Sequence, residues 1–317
     1  MIVKADEGAI AEAARIIRAG GLVAFPTETV YGLGADATQG QAVARIFEAK
    51  GRPRFNPLIV HVADLEAALG LAIFCEQALA LARHFWPGPL TLVLLLPPRC
   101  RFQISDLVTA GLGAVAIRVP AHPVARELLA ASALPIAAPS ANKSGRVSPT
   151  RAEHVEADFG GEVDMILDGG ASDAGLESTI VTLAPRPTIL RPGAIAREDV
   201  ETVLGCRLMD FRKGKVQSPG QLLSHYAPRA SLRLNAAGAA LPGEALLGFG
   251  PLAPDAALNL SPTGDLREAA ANLFAYLREL DAQNPAGIAV MPIPETGLGE
   301  AINDRLRRAS APKQSHS

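Results

Sequence analysis

Three cysteines in 317 residues, Cys75, Cys100 and Cys206, are too scattered and odd in number for a disulfide framework or a CxxC zinc or redox site. Aromatic residues reach only 4%, with one tryptophan and three tyrosines, which leaves few rings for stacking nucleic-acid bases. Thirty Lys and Arg stand against 32 Asp and Glu, a formal charge of -2, so no global field holds a polyanion or an acidic lipid surface. The balance is even along the chain, 17 basic and 19 acidic residues through Gly193 and 13 of each beyond it. An anionic partner has to be gripped locally. The longest apolar stretch, Leu90 to Pro98, falls far short of the ~20 residues of a membrane span. No cationic segment followed by an apolar core stands at the N-terminus, where Asp6 and Glu7 lie, so no signal peptide is read. Neither Gly32-Leu33-Gly34 nor Gly111-Leu112-Gly113 extends to GxGxxG, and Lys143-Ser144 lacks the upstream glycine of a phosphate-binding loop. These absences predict a soluble cytoplasmic protein, with no membrane contact and no Walker motif.

What is present is a chain with 49% hydrophobic residues, enough for a substantial core, and a length of about two typical domains of ~150 residues each. Strands and helices mix throughout. A helix is expected over 7–19, with Ile10, Ala13, Ala14 and Ile17 on one face, then a strand over 22–25. The run Pro26 to Gly34, polar first and glycine-punctuated later, reads as a surface loop. A helix over 41–49 delivers Lys50, Gly51 and Arg52 at its end. Strands over 58–62, 90–96 and 115–119 and helices over 64–72, 76–85 and 123–131 follow, and 135–139 ends at Ser140-Ala141-Asn142. Ser148-Pro149 has the form of an N-cap followed by proline in the first helical turn. With strands over 164–168, 179–183 and 188–191 this makes an α/β domain whose short intervals favour a mixed sheet. The expected organisation is an α/β domain at 1–208, a linker at 209–230, a small α/β domain with a largely parallel sheet at 231–309, and a disordered tail at 310–317.

The informative side chains are charged or polar groups at strand and helix ends. Lys50, Arg52 and Arg54 suit either a solvated helix terminus or a phosphate clamp. Ser140 and Asn142 suit either turn chemistry or ligand contact. Arg118, between Ile117 and Val119, and Arg191, after Leu190, need solvent, a carboxylate or an anionic ligand, because burying a guanidinium unpaired is costly. His61 sits within an apolar strand with no second ligand at metal spacing, so it reads as a structural histidine and no protein-held metal is expected.

In order, the runs Val23–Gly34, Lys50-Gly51-Arg52-Pro53, Asn56–His61, Trp86–Thr91, Arg118-Val119-Pro120, Pro139–Asn142, Ser178-Thr179-Ile180 and Leu190–Gly193 resemble the YrdC-like domain. With Ser218-Pro219-Gly220 and His225-Tyr226-Ala227-Pro228 ahead of a small α/β region, the chain is similar over nearly its whole length to the two-domain threonylcarbamoyl-AMP synthase family. The resemblance implies a YrdC-like twisted, mixed, open sheet with flanking helices, plus a smaller Rossmann-like α/β domain. It implies an L-threonylcarbamoyladenylate synthase, a nucleotidyltransferase that uses L-threonine, bicarbonate or CO2 and ATP with Mg2+. Its product passes to the machinery that makes threonylcarbamoyladenosine in tRNA, with weak or no stable tRNA binding by the enzyme itself. Residue by residue, it implies catalytic roles for Lys50, Arg52, Ser140 and Asn142, and threonine contacts from Thr27, His61, Arg118, the Ala138 backbone and Ser178. Nucleotide contacts carry over to Lys50, Arg52, Asn56, Ser140, Asn142, Ser148 and Arg191, while His225 and Tyr226 are placed as a lid. Before His225 the sequence reads Leu222-Leu223-Ser224, where many family members carry a Lys-Tyr-Arg type of run. Two other readings of such a domain are a carbamoyl adenylate for hydrogenase maturation and an RNA-binding module. The first goes with CxxC zinc motifs and the second with a basic charge, and neither stands here.

Overall fold

The computed structural model describes residues 1–97, 104–211, 225–237 and 239–312. Leu222-Leu223-Ser224 and Cys100 lie outside these described residues. Helix α1 (Glu7–Arg18) begins where the Asp6 carboxylate accepts the amide of Ala9 at 2.8 Å, and it buries Ala9, Ile10, Ala13, Ala14 and Ile17, the stripe its periodicity predicts. Helix α2 (Gly40–Lys50) stops at Gly51, which takes the left-handed conformation at φ 60° and turns the chain sharply enough to present Lys50 and Arg52 on successive sides of one corner.

Eleven strands form one mixed sheet. In chain order they are β1 (Ile2–Lys4), β2 (Val23–Phe25), β3 (Gly32–Asp36), β4 (Ile59–His61), β5 (Leu90–Leu95), β6 (Ala114–Arg118), β7 (Ile136–Ala137), β8 (Met165–Asp168), β9 (Thr179–Thr182), β10 (Thr188–Arg191) and β11 (Met209–Asp210). Their spatial order is β1-β8-β2-β3-β7-β4-β6-β5-β9-β10-β11. Of its ten neighbouring pairs five are parallel and five antiparallel, the mixture that the short intervals between strands favour. Helices α3 (Leu65–Leu69), α4 (Glu76–Phe85), α5 (Asp106–Thr109), α6 (Pro123–Ser132), α7 (Ala152–Phe159) and α8 (Arg197–Leu204) cover the faces. The main core joins Leu33, Val43, Ile46, Leu58, Val60, Leu92 and Ile117, and a second cluster beneath α1 and α6 joins Ile17, Phe25, Leu128 and Ile136.

The second region carries β12 (Ser231–Arg233), β13 (Glu244–Gly248), β14 (Leu258–Asn259) and β15 (Gly287–Val290) in the order β12-β15-β13-β14, every pair parallel. Helix α9 (Leu266–Ala282) crosses between β14 and β15, and α10 (Leu298–Ser310) follows. Among the described residues no helix is long and apolar enough to cross a membrane.

Several local expectations are corrected. The loop read over 26–34 ends in a strand: β3 starts at Gly32, because Gly34 serves packing and not turning. A Cβ there would stand 2.7 Å from Phe25 Cε1 and 2.9 Å from Ile136 Cγ2. Ser148 does not cap a helix. Helix α7 begins four residues later, at Ala152, and the Ser148 hydroxyl donates instead to the Glu177 carboxylate at 2.5 Å, a charge-assisted bond that outcompetes a local cap. The segment expected as linker opens with β11, paired to β10, and α10 runs through Ser310, one residue into the expected tail, because Ala309 packs against the core.

Candidate active site

Strand ends bring the side chains together. His61 ends β4 and Arg118 ends β6, and the two are direct neighbours in that parallel pair, so both aim at one side of the sheet. The loop after β2 supplies Thr27 and Thr29, the turn after β7 supplies Ala138 and Ser140, Ser178 precedes β9, and Arg191 ends β10. These residues, with Arg52, Glu177, His225 and Tyr226, line a single tight cavity that is partly open to solvent. Ligands of open α/β sheets bind at such strand ends.

Arg118 is almost fully buried. Its Nε donates to the Gly88 carbonyl at 3.2 Å, one terminal nitrogen donates to Thr29 Oγ1 at 2.9 Å, and the other pairs with Glu28 Oε1 at 2.7 Å. The contact with Glu28 is an ion pair without hydrogen-bond geometry, so N–H donors on the terminal nitrogens remain for a ligand carboxylate. Glu28 is pushed up by burial and pulled further down by Arg118, which leaves it ionised. Thr27 is locked by its own loop: its hydroxyl donates to the Val30 carbonyl at 2.6 Å and meets Thr29 Oγ1 at 2.8 Å.

Arg52 and Arg191 line the same cavity. Arg52 donates to the carbonyls of Asn56 and Pro57 at 3.2 and 2.9 Å, and Arg191 donates to the Ser178 carbonyl at 2.8 Å and its hydroxyl at 3.1 Å. Burial pushes Arg52 down to about 10, with Tyr226 opposing and Arg191 adding to the shift, so it stays charged at neutral pH. The approach of 191–193 to 177–179 is so close that a Cβ on Gly193 would lie 2.4 Å from both the Glu177 carbonyl and the Thr179 amide. Only glycine allows that contact.

The expected set divides in two. Thr27, Arg52, His61, Arg118, Ala138, Ser140, Ser178, Arg191, His225 and Tyr226 line the cavity, whereas Lys50, Asn56, Asn142 and Ser148 stand in the layer behind it. The Lys50 ammonium is turned onto the carbonyls of Ser140, at 2.6 Å, and Asn142. Burial first, then Arg52 and Lys143, drive its pKa well below the ordinary lysine value. Asn142 Oδ1 and both side-chain heteroatoms of Asn56 are buried with no hydrogen-bond partner, as are Nδ1 of His61 and of His225. Buried polar atoms are nearly always satisfied, so these groups are open to hydrogen bonds from a ligand or from water. Tyr226 holds a left-handed backbone at φ 63°, stacked on Phe274 with centroids 5.6 Å apart and edge-on to His225 at 4.1 Å. That strain persists because the ring is clamped on both sides.

Sequence reasoning passed over Glu28, Thr29, Thr91 and Glu177. Glu28 and Thr29 lie inside a run singled out for its neighbours, and their charge and hydroxyl read as ordinary loop polarity. Thr91 shares a 2.7 Å hydrogen bond with Ser178 across two strands, which no local signal announces.

Both pocket histidines are neutral. Burial and then Arg118 push His61 down to about 3, and burial followed by Arg52, Lys50, Arg191 and Arg305 pushes His225 well below its usual value. Since the unfolded chain takes up these protons near pH 6.5 and the folded chain resists them, stability should fall as pH drops below 6.5, with His61 contributing about 1.4 kcal/mol per pH unit near pH 5. For His61 the loss continues until pH approaches 3. Urea titrations between pH 7.5 and 5 check this. A His61→Asn variant should lose about one proton of the slope, and an unchanged slope would refute the neutral assignment.

A mixed sheet whose strand ends gather buried cations and unmet polar atoms around one small cavity defines an α/β enzyme acting on an anionic small molecule. Residues 15–193 match the Sua5, YciO and YrdC family model, described as telomere recombination, and residues 195–311 match the C-terminal domain model of threonylcarbamoyl-AMP synthase. The threonylcarbamoyl-AMP synthase of Pyrococcus abyssi is 43% identical over 96% of this chain and 95% of its own length, and that of Bacillus subtilis is 43% identical over 95% and 92%. The crystal structure of Pyrococcus abyssi Sua5 complexed with L-threonine has a TM-score of 0.88 at 41% identity, covering 98% of this chain and 96% of that one. The chain belongs to the two-domain threonylcarbamoyl-AMP synthase family.

Proposed function

We propose that this protein is an L-threonylcarbamoyladenylate synthase, joining L-threonine, CO2 or bicarbonate, and ATP into threonylcarbamoyl-AMP with release of pyrophosphate. The observation that carries this reading is the convergence of Arg52, Arg118 and Arg191 on one cavity, with Lys50 immediately behind it. It supports two anionic subsites, one for a carboxylate and one for a triphosphate.

We assign the threonine carboxylate to the free edge of Arg118, with Thr27, His61, Ser178 and the Ala138 backbone around the rest of the amino acid. Lys50, Arg52 and Arg191 take the phosphates, with Asn56, Ser140, Asn142 and Ser148 completing the nucleotide end. His225 and Tyr226 shield the site from water. Ser140 Oγ and Asn142 Oδ1 are hard oxygen donors, and the unmet Asn142 Oδ1 fits an Mg2+ brought in with ATP. When bound, that ion neutralises phosphate charge.

His61, with its pKa near 3, is too weak a base to deprotonate threonine at neutral pH. The uncharged fraction of the threonine amine therefore attacks CO2 unaided, forming a carbamate and releasing one proton. A carbamate oxygen then attacks the α-phosphorus, the bond to the β-phosphate bridging oxygen breaks, and pyrophosphate leaves. The side chains contribute position and charge.

Pyrophosphate release should require both threonine and bicarbonate, and be much slower with serine or alanine. Release without threonine, or at equal rates with alanine, would overturn the substrate assignment.

A further inference from the structure

Arg305, on α10 of the second domain, does not line the cavity and is wholly buried, at 0% exposure. Its Nε donates to Glu177 Oε2 at 2.7 Å, one terminal nitrogen donates to the Pro192 carbonyl at 2.9 Å, and its guanidinium carbon sits 5.0 Å over the Tyr226 ring. The third nitrogen pairs with Asp304 at 2.7 Å. Each partner outside α10 belongs to a segment that reaches the pocket: Glu177 precedes Ser178, Pro192 follows Arg191, and Tyr226 is itself a lining residue. One side chain thus ties together three walls of a site in the other domain. The interdomain contact around it is close and fixed, since a Cβ on Gly175 would stand 2.4 Å from the Ala270 carbonyl, and Arg278 of α9 pairs with Asp158 at 2.7 Å.

Glu177 makes this arrangement consequential. It is a buried carboxylate in the wall of a cavity read as binding a triphosphate, and its other oxygen accepts from Ser148. Arg305 and Arg191 are the cations that hold it ionised, Arg305 the more strongly. Removing Arg305 would leave an uncompensated negative charge beside the nucleotide subsite, with Arg191 as the remaining cation to answer it.

We infer that Arg305 is a positioning residue through which the second domain sets ATP affinity: by neutralising Glu177 it frees Arg191 for the nucleotide and keeps 177–178 and 191–193 in register. The inference rests on the synthase reading above. It gives the second domain a part in the chemistry without touching substrate.

Steady-state kinetics of pyrophosphate release and calorimetry with a non-hydrolysable ATP analogue test it on the full chain. Arg305→Met should raise the KM and Kd for the nucleotide by at least about tenfold, with the threonine KM moving less than about threefold. Arg305→Lys, which keeps the charge and loses the fork, should fall between. The double variant Arg305→Met/Glu177→Gln removes both buried charges and should recover most of the nucleotide affinity. A purely structural role would lower the folded fraction and kcat together and leave both KM values in place. Folded Arg305→Met with unchanged nucleotide affinity would overturn the inference, as would a double variant with no recovery. If Arg305→Met does not fold, the double variant decides alone: near wild-type nucleotide affinity supports the inference, and a tenfold loss ends it. Failure of the wild-type protein to release pyrophosphate would fault the synthase reading instead, and the calorimetry would still report on Arg305.

Discussion

Replacing Lys50 with methionine is expected to slow pyrophosphate release by about 10³-fold, the scale of losing one group that stabilises transition-state charge, while the folded protein stays as stable as the wild type. The two effects have opposite causes. Without nucleotide, the ammonium is buried at 3% exposure, with Arg52 and Lys143 as its nearest like charges, and folding therefore works against it. Its compensation is two carbonyls, Ser140 and Asn142, each hydrogen bond to a charged donor contributing about 1.5–3 kcal/mol. The desolvation they offset is several kcal/mol, and methionine fills the same volume without a charge. The sum for stability is near zero. For ATP it is not, because the triphosphate is the partner that would turn the ammonium's burial into a gain. The sign of the linkage gives a second check. A lysine whose folded pKa lies below its unfolded 10.5 penalises the folded state most at low pH, and the penalty is relieved as pH rises toward 10.5. The methionine variant should lack that alkaline gain. Chemical denaturation from pH 7 to 10 alongside the pyrophosphate assay measures both. A stability loss that tracks the activity loss would make Lys50 a structural residue only.

Arg118→Leu should raise the threonine KM by about 10²-fold or more, since it removes the proposed bidentate partner of the threonine carboxylate, and should also destabilise the fold. The destabilisation comes from Glu28. With the guanidinium gone its carboxylate is left unpaired in a largely buried place, a loss of about 3 kcal/mol, at the low end because 14% of that side chain is exposed. Thr29 Oγ1 and the Gly88 carbonyl lose their donor as well. Adding Glu28→Gln should restore most of the stability and none of the threonine binding. Thermal melts with threonine titrations separate the two. Recovery of threonine affinity in the double variant would show that Glu28, and not Arg118, governs that subsite.

Much of the architecture is legible in the amino-acid sequence. The α1 stripe and the mixed sheet follow from short-range rules, since periodicity and the lengths of the intervals between strands are properties of a few consecutive residues. Those rules erred where a distant partner outbid a local one. Gly32 and Gly34 read as turn residues because glycine usually is one, and only Phe25 and Ile136 pressing on the strand show that they are flat places in a sheet. Ser148 has the form of a helix cap, and a carboxylate 29 residues away claims its proton.

The site repeats this division. The sequence singled out Arg118 and Arg191 as charges that need solvent, a carboxylate or an anionic ligand, because a guanidinium in an apolar setting needs a partner wherever the chain goes, and it left Lys50 and Arg52 open between a solvated helix end and a phosphate clamp. It left open what that partner is, and it held no sign of Glu28 on Arg118, of Glu177 in the wall, or of Arg305 reaching from the second domain. Residue type and spacing determine which groups must be satisfied. Which group satisfies which is decided by segments more than a hundred residues apart meeting in the folded chain, as Arg305 meets Glu177, and no short-range rule carries that information.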